Sequence, residues 1–128
     1  MKMNCSPFAR NIYKRICDSG AAGFNPAKSK VRGVESALAE LRKEKVVIIL
    51  NEYLVLPVAQ LIETAKNILE GKKPGSPLSM EELKNKSGMS RRVLIPILEH
   101  LDQTGLTEKR GPDRFVLAEF DENYIKPK

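Results

Sequence analysis

The chain has 128 residues, with 22 Lys and Arg against 16 Asp and Glu, a net charge of +6 at pH 7, and 41% hydrophobic residues without a single Trp. That is enough for one ordinary domain or two very small ones, neither of which would be very stable alone. No run approaches the roughly 20 apolar residues of a membrane-spanning helix, and the start Met1-Lys2-Met3-Asn4 lacks the apolar stretch of a secretory signal, so a soluble cytoplasmic chain is expected.

Phe8, Ile12 and Ile16 recur at four-residue spacing between Pro7 and Ser19, which predicts a first helix stopped by Gly20. Asn25-Pro26 is a cap followed by proline at the first helical position, so a short second helix is expected over Ala27 to Val31. A third helix begins at Val34 with Val34, Ala37, Leu38 and Leu41 on its apolar face. The period then changes: Val46 to Leu50 is β-branched and continuous, Asn51-Glu52 reads as a turn, and Tyr53 to Leu56 returns as a second strand.

Val58 to Gly71 reads as helix again, with a stripe of Leu61, Ile62, Ala65, Ile68 and Leu69; the following Gly71-Lys72-Lys73-Pro74-Gly75-Ser76-Pro77 reads as an internal joint. Ser79-Met80-Glu81-Glu82 has the form of a capping box, in which the Ser79 hydroxyl accepts from the Glu82 amide and the Glu82 side chain reaches back. A short helix from Met80 stops at Ser87-Gly88, and Ser90 caps a longer one with Leu94, Ile97, Leu98 and Leu101 buried and Gly105 as its end. Leu106 to Arg110 and Arg114 to Ala118 then flank Gly111-Pro112-Asp113 as a second hairpin.

The same order thus occurs twice: leading helix, short helix, longer helix, hairpin. The expected fold is mainly α with small β-hairpins, a tandem of winged helix-turn-helix domains over residues 1–57 and 58–128.

Catalysis is poorly served by this inventory. His100 is the only histidine, Cys5 and Cys17 form no Cys-x-x-Cys pair, and no phosphate-binding Gly-rich loop with its Lys occurs, so no catalytic residue, metal ligand or cofactor is expected. Charge is more informative. Residues 1–45 carry +6, residues 46–70 carry −2, residues 71–114 carry +3 and the tail from 115 carries −1, a distribution that suits a polyanionic partner. The sharpest cluster is the start of the helix after Ser90, where Arg91 and Arg92 sit beside free amides and the positive end of the helix dipole. A phosphate there turns an unfavourable charge placement into a favourable one. Lys84 and Lys86 of the short helix, with Lys109, Arg110 and Arg114 of the hairpin, are expected to form a basic rim around that tip. Glu99 and Gln103, with Asp102 nearby, argue against laying this helix lengthwise in a DNA major groove, and favour end-on contact with folded RNA. In the first unit, Lys28, Lys30 and Arg32 precede the third helix, while Arg42, Lys43 and Lys45 complement its C-terminal end. Pro96, inside the second long helix, removes one backbone hydrogen bond.

The stretch Ser90-Arg91-Arg92-Val93-Leu94-Ile95-Pro96-Ile97-Leu98-Glu99-His100-Leu101-Asp102-Gln103-Thr104-Gly105-Leu106-Thr107, followed by the basic hairpin Glu108 to Leu117, resembles the final winged helix of the bacterial selenocysteine-specific elongation factor, including the interior proline. Arg92 stands where that family usually has Lys, Val93 where it has an aromatic residue, and Pro112 is an insertion in the turn. The resemblance implies the C-terminal part of a translation factor whose other domains bind GTP and selenocysteyl-tRNA. Its last winged helix would grip the messenger-RNA hairpin that recodes UGA and tether the factor beside the ribosome, as a monomer and without membrane contact. By position, Arg91 and Arg92 would hold the hairpin backbone, Lys109, Arg110 and Arg114 would add contacts, and the first unit would be a spacer or a secondary RNA contact. A DNA-binding regulator and a protein-interaction module are the other functions that this fold can serve.

Overall fold

A computed structural model describes residues 4–126. The chain divides into two compact units, one ending at Gln60 and the other spanning Leu61–Lys126.

In the first unit, α1 (Pro7–Asp18) has Ser6 as its N-cap, and the Ser6 hydroxyl accepts from the Ala9 amide at 3.2 Å. The same serine is held from a distance in sequence: its amide and hydroxyl both donate to the Glu40 carboxylate, at 3.1 and 2.9 Å. Glu40 belongs to α2 (Val34–Lys43), so one carboxylate fixes the start of α1 against the third helix. Ala9, Ile12 and Ile16 bury against Val34, Ala37, Leu38 and Leu41. Phe8, expected in that stripe, stays 38% exposed beside Gly33, and Ala9 takes the inward position. The expected second helix is reduced to a 3-10 turn, Pro26–Lys28, capped by Asn25 accepting from the Ala27 amide. β1 (Val47–Asn51) and β2 (Leu54–Pro57) form the antiparallel hairpin. Its turn is displaced one residue from expectation, because the Asn51 side chain accepts from the Tyr53 amide at 2.8 Å and closes the loop itself. Phe24 adds an antiparallel bridge to Val55.

α3 (Val58–Leu69) follows β2 without an intervening residue, and the Val58 amide donates to the Val46 carbonyl at 3.0 Å. Its later residues Leu61, Ala65, Ile68 and Leu69 are buried. The supposed joint after it is built into a sheet. Gly75 donates to the Val116 carbonyl, Val116 donates back to Ser76, and β3 (Pro77–Leu78) pairs with β5 (Asp113–Val116) in the order β3-β5-β4, with β4 spanning Thr107–Arg110.

Between β3 and β4 lie α4 (Met80–Ser87) and α5 (Arg91–Thr104). The turn joining them is fixed by Gly88 at φ +68°, by Ser87 Oγ accepting from the Met89 amide, and by the burial of Met89. α5 runs through Pro96 unbroken, at the cost of the amide that would have donated to the Arg92 carbonyl. Val93, Leu94, Ile97, Leu98 and Leu101 are fully buried. Gly105 ends the helix at φ +91°. The capping box at Ser79 does not form. Ser79 makes no side-chain cap bond, and Glu82 is drawn instead to the ammonium groups of Lys72 at 2.9 Å and Lys86 at 3.2 Å. Two cations offer a carboxylate more than one backbone amide does. Beyond the sheet, a 3-10 turn at Glu122–Tyr124 brings Ile125 into the core.

Candidate nucleic-acid interface

The tip of α5 carries two adjacent exposed cationic residues. Ser90 is extended, its carbonyl accepts from the Val93 and Leu94 amides, and its hydroxyl makes no cap bond. Arg91 and Arg92 occupy the first two helical positions and are exposed, and no acidic residue lies in the first turn. The positive end of the helix dipole and two exposed arginines therefore occur at the same end of α5, where negative charge is favoured. Val93, by contrast, lies in the core with 0% exposure, so the residue at this position supports the helix and offers nothing to a ligand.

Lys84 and Lys86 are exposed in the last turn of α4, just before the turn that leads to Ser90. Lys86 shares Glu82 with Lys72, and these two hydrogen-bonded ammonium groups, Lys72 first, hold the Glu82 carboxyl below its ordinary range. Lys86 is thus partly neutralised, whereas Lys84 has no ion-pair partner among the described residues.

The wing separates residues that the sequence grouped together. Thr107 pairs with Val116, Glu108 with Phe115, Lys109 with Arg114 and Arg110 with Asp113. Residues opposite one another share a face and neighbours along a strand alternate, so Thr107, Lys109 and Arg114 lie on one face and Glu108, Arg110 and Phe115 on the other. The first face turns toward α5. Asp102 of α5 accepts from the Thr107 hydroxyl at 2.5 Å, from Arg114 Nε at 3.1 Å and from Arg114 Nη2 at 2.8 Å.

Arg114 therefore corrects the expectation of a basic rim: its side chain is only 12% exposed and is spent on a two-point ion pair that roots the wing on the helix. The reason is Asp102, which lies in the last turn of α5, where the antiparallel wing brings Arg114 back to it. This root lies eleven residues along the helix from Arg91, about 16 Å at the α-helical rise. Lys109 and Arg110 remain exposed, Lys109 without an ion-pair partner among the described residues and Arg110 paired with Glu108. Glu99 and Gln103 are exposed along α5.

The corresponding point of the first unit has the opposite character. α2 follows Gly33 as its N-cap and has Glu35 in its first turn, and the open groove beside it is lined by Pro26, Val31, Leu38, Glu35 and Glu52. Lys28, Lys30 and Arg32 are exposed and alternate with half-buried Ser29 and Val31. Cys5 and Cys17 are free thiols, and no group of three or more His, Cys, Asp or Glu among the described residues is placed to hold a metal ion. No helix of the described residues is long and apolar enough to cross a membrane.

Helix, turn and helix followed by a sheet-backed hairpin define the second unit as a winged helix, with cations at the tip of its longer helix and on its wing. Residues 72–116 match the family model described as elongation factor SelB, winged helix. Among solved structures, the chain is similar to one described as the mRNA-binding domain of elongation factor SelB from E. coli in complex with SECIS RNA, with 17% sequence identity and a TM-score of 0.60 over 88% of this chain and 98% of that one. No curated protein sequence matches the chain.

Proposed function

We propose that the chain binds a hairpin in messenger RNA through its second winged helix, as the C-terminal part of a selenocysteine-specific elongation factor supporting the recoding of UGA. The observation that carries this reading is the pair of exposed arginines, Arg91 and Arg92, at an α5 N-terminus without acidic residues. The family match over residues 72–116 and the fold shared with an mRNA-binding domain seen with SECIS RNA support it. Arg91, Arg92 and the Ser90 region receive the hairpin backbone, with Lys84, Lys109 and, in part, Lys86 adding phosphate contacts. The chain works as a monomeric tether in the cytoplasm, without chemistry or a cofactor of its own. GTP hydrolysis and the ribosome belong to other domains of the parent factor.

The test is a calorimetric titration against a bulged RNA hairpin, the same hairpin without its bulge, and a DNA duplex of equal length. The bulged hairpin is expected to bind tightest. Arg91→Ala with Arg92→Ala should cost about 3 kcal/mol, on the order of a hundredfold in Kd, and lower the salt slope by about two phosphate contacts. Equal affinity for all three nucleic acids would reduce the interaction to non-specific polyanion attraction and defeat the reading.

A further inference from the structure

The outer face of the wing carries a constellation unlike the α5 tip. Glu108 Oε2 accepts from Arg110 Nε at 2.9 Å and from Arg110 Nη2 at 2.8 Å, and the Arg110 guanidinium carbon lies 5.5 Å from the centroid of the Phe115 ring. Phe115 is opposite Glu108 on β4 and opposite Pro77 on β3, so the ring sits in the central strand with a partner on each side. We propose that Arg110, held by Glu108 over Phe115, is a platform on which one unpaired base of the bound RNA stacks, and that it contributes to specificity through this contact and not as a phosphate clamp. The proposal deepens the RNA-binding reading above and rests on it.

Three features separate this residue from Arg91. The first is charge: Glu108 cancels most of what Arg110 would offer a phosphate, whereas the first turn of α5 holds no carboxylate. The second is orientation. With Nε and Nη2 both directed at Glu108 Oε2, the guanidinium plane is oriented before RNA arrives, while the side chain is still 66% exposed. A preordered flat surface loses little conformational freedom on binding. The third is the underlying ring, which gives the guanidinium a rigid aromatic support. Guanidinium planes and aromatic rings are the surfaces on which proteins stack single-stranded bases. In a duplex those base faces are covered, so such a platform selects loops and bulges. Lys109, on the opposite face of the strand and unpaired among the described residues, keeps the role of a phosphate contact.

Arg110→Lys keeps the positive charge and removes the plane, which separates the two roles. The probe is an RNA hairpin with an unpaired loop and a one-nucleotide bulge, together with versions in which each unpaired base in turn is removed to leave an abasic sugar. Arg110→Lys should weaken binding of the intact hairpin on the order of tenfold, one abasic position should weaken the unaltered protein similarly, and that abasic hairpin should bind both proteins equally. Glu108→Gln, which frees the guanidinium, should weaken binding by the same logic, whereas a phosphate clamp would tighten. Unchanged affinity in Arg110→Lys, an equal loss on every abasic hairpin, or tighter binding by Glu108→Gln would each overturn the platform. If Arg91→Ala with Arg92→Ala still loses affinity, that failure belongs to the platform alone; if the double variant binds as before, the RNA-binding reading falls with it.

Discussion

The two units place a carboxylate on their third helix and use it differently. In the first, Glu40 of α2 holds Ser6 at the start of α1; in the second, Asp102 of α5 holds Thr107 and Arg114 in the wing. The first unit thereby secures its helices and the second its hairpin. The ends of the same helices differ as well. Glu35 in the first turn of α2 suits the helix dipole, while Arg91 and Arg92 in the first turn of α5 oppose it. The helix start of the first unit thus suits its dipole, while that of the second carries two cations at some cost in helix stability.

The comparison can be broken most severely at Asp102. Asp102→Ala leaves a nearly buried guanidinium and the buried Thr107 hydroxyl without their acceptor, and should cost about 3 kcal/mol in urea unfolding. Glu40→Ala should cost only about 1 kcal/mol, since Ser6 is half exposed and water can replace the acceptor. Equal losses would erase the distinction between the two anchors.

Gly23 tests the first unit independently. At φ +75° its added Cβ would collide with Leu54 Cδ1, so Gly23→Ala should lower stability by about 2 kcal/mol, with hydrogen exchange accelerated in β1 and β2. A smaller effect of opposite sign is expected at the tip of α5. Arg91→Glu should raise thermal stability by about 0.3–1 kcal/mol while abolishing RNA binding, because the new carboxylate suits the dipole and repels phosphate. A loss of stability would mean that the arginine supports the helix.

The mildest effect concerns pH. Burial lowers the His100 pKa, and its Nε2 is buried without a hydrogen-bond partner among the described residues. The unfolded chain takes up this proton more readily, so the stability contribution is complete above the unfolded value of about 6.5 and drains as pH falls below it. Urea midpoints at successive pH values, compared with His100→Gln, would show this slope in the parent and its loss in the variant.

Periodicity was a good guide wherever a stripe was long. The buried positions of α2 and α5 coincide with the apolar spacing, and the tandem order and helix-turn-helix were legible from it. What escaped was short or tertiary. β3 has two residues inside a Pro- and Gly-rich stretch, and Phe24 forms a bridge of one residue, so neither offers a period to detect. The Ser79 box had the right letters, but Lys72, seven residues upstream, competed for Glu82. The basic wing was visible as composition, yet its division into two faces depends on hairpin register, and the loss of Arg114 depends on Asp102 reaching across from another element. Strand alternation applied to Lys109-Arg110 would have found the division, and the Glu108, Arg110 and Phe115 spacing was the one available signal for the platform.

The Asp102 clasp has a kinetic corollary. With its carboxylate joined to both strands of the wing, that hairpin cannot swing aside like a flap without also breaking an ion pair rooted in α5. The backbone amides of Glu108 to Phe115 should therefore share a slow, cooperative opening with the end of the helix. A ligand held at the wing would then leave by breaking its own contacts one after another, so that its dwell time would be set by how many of them it makes.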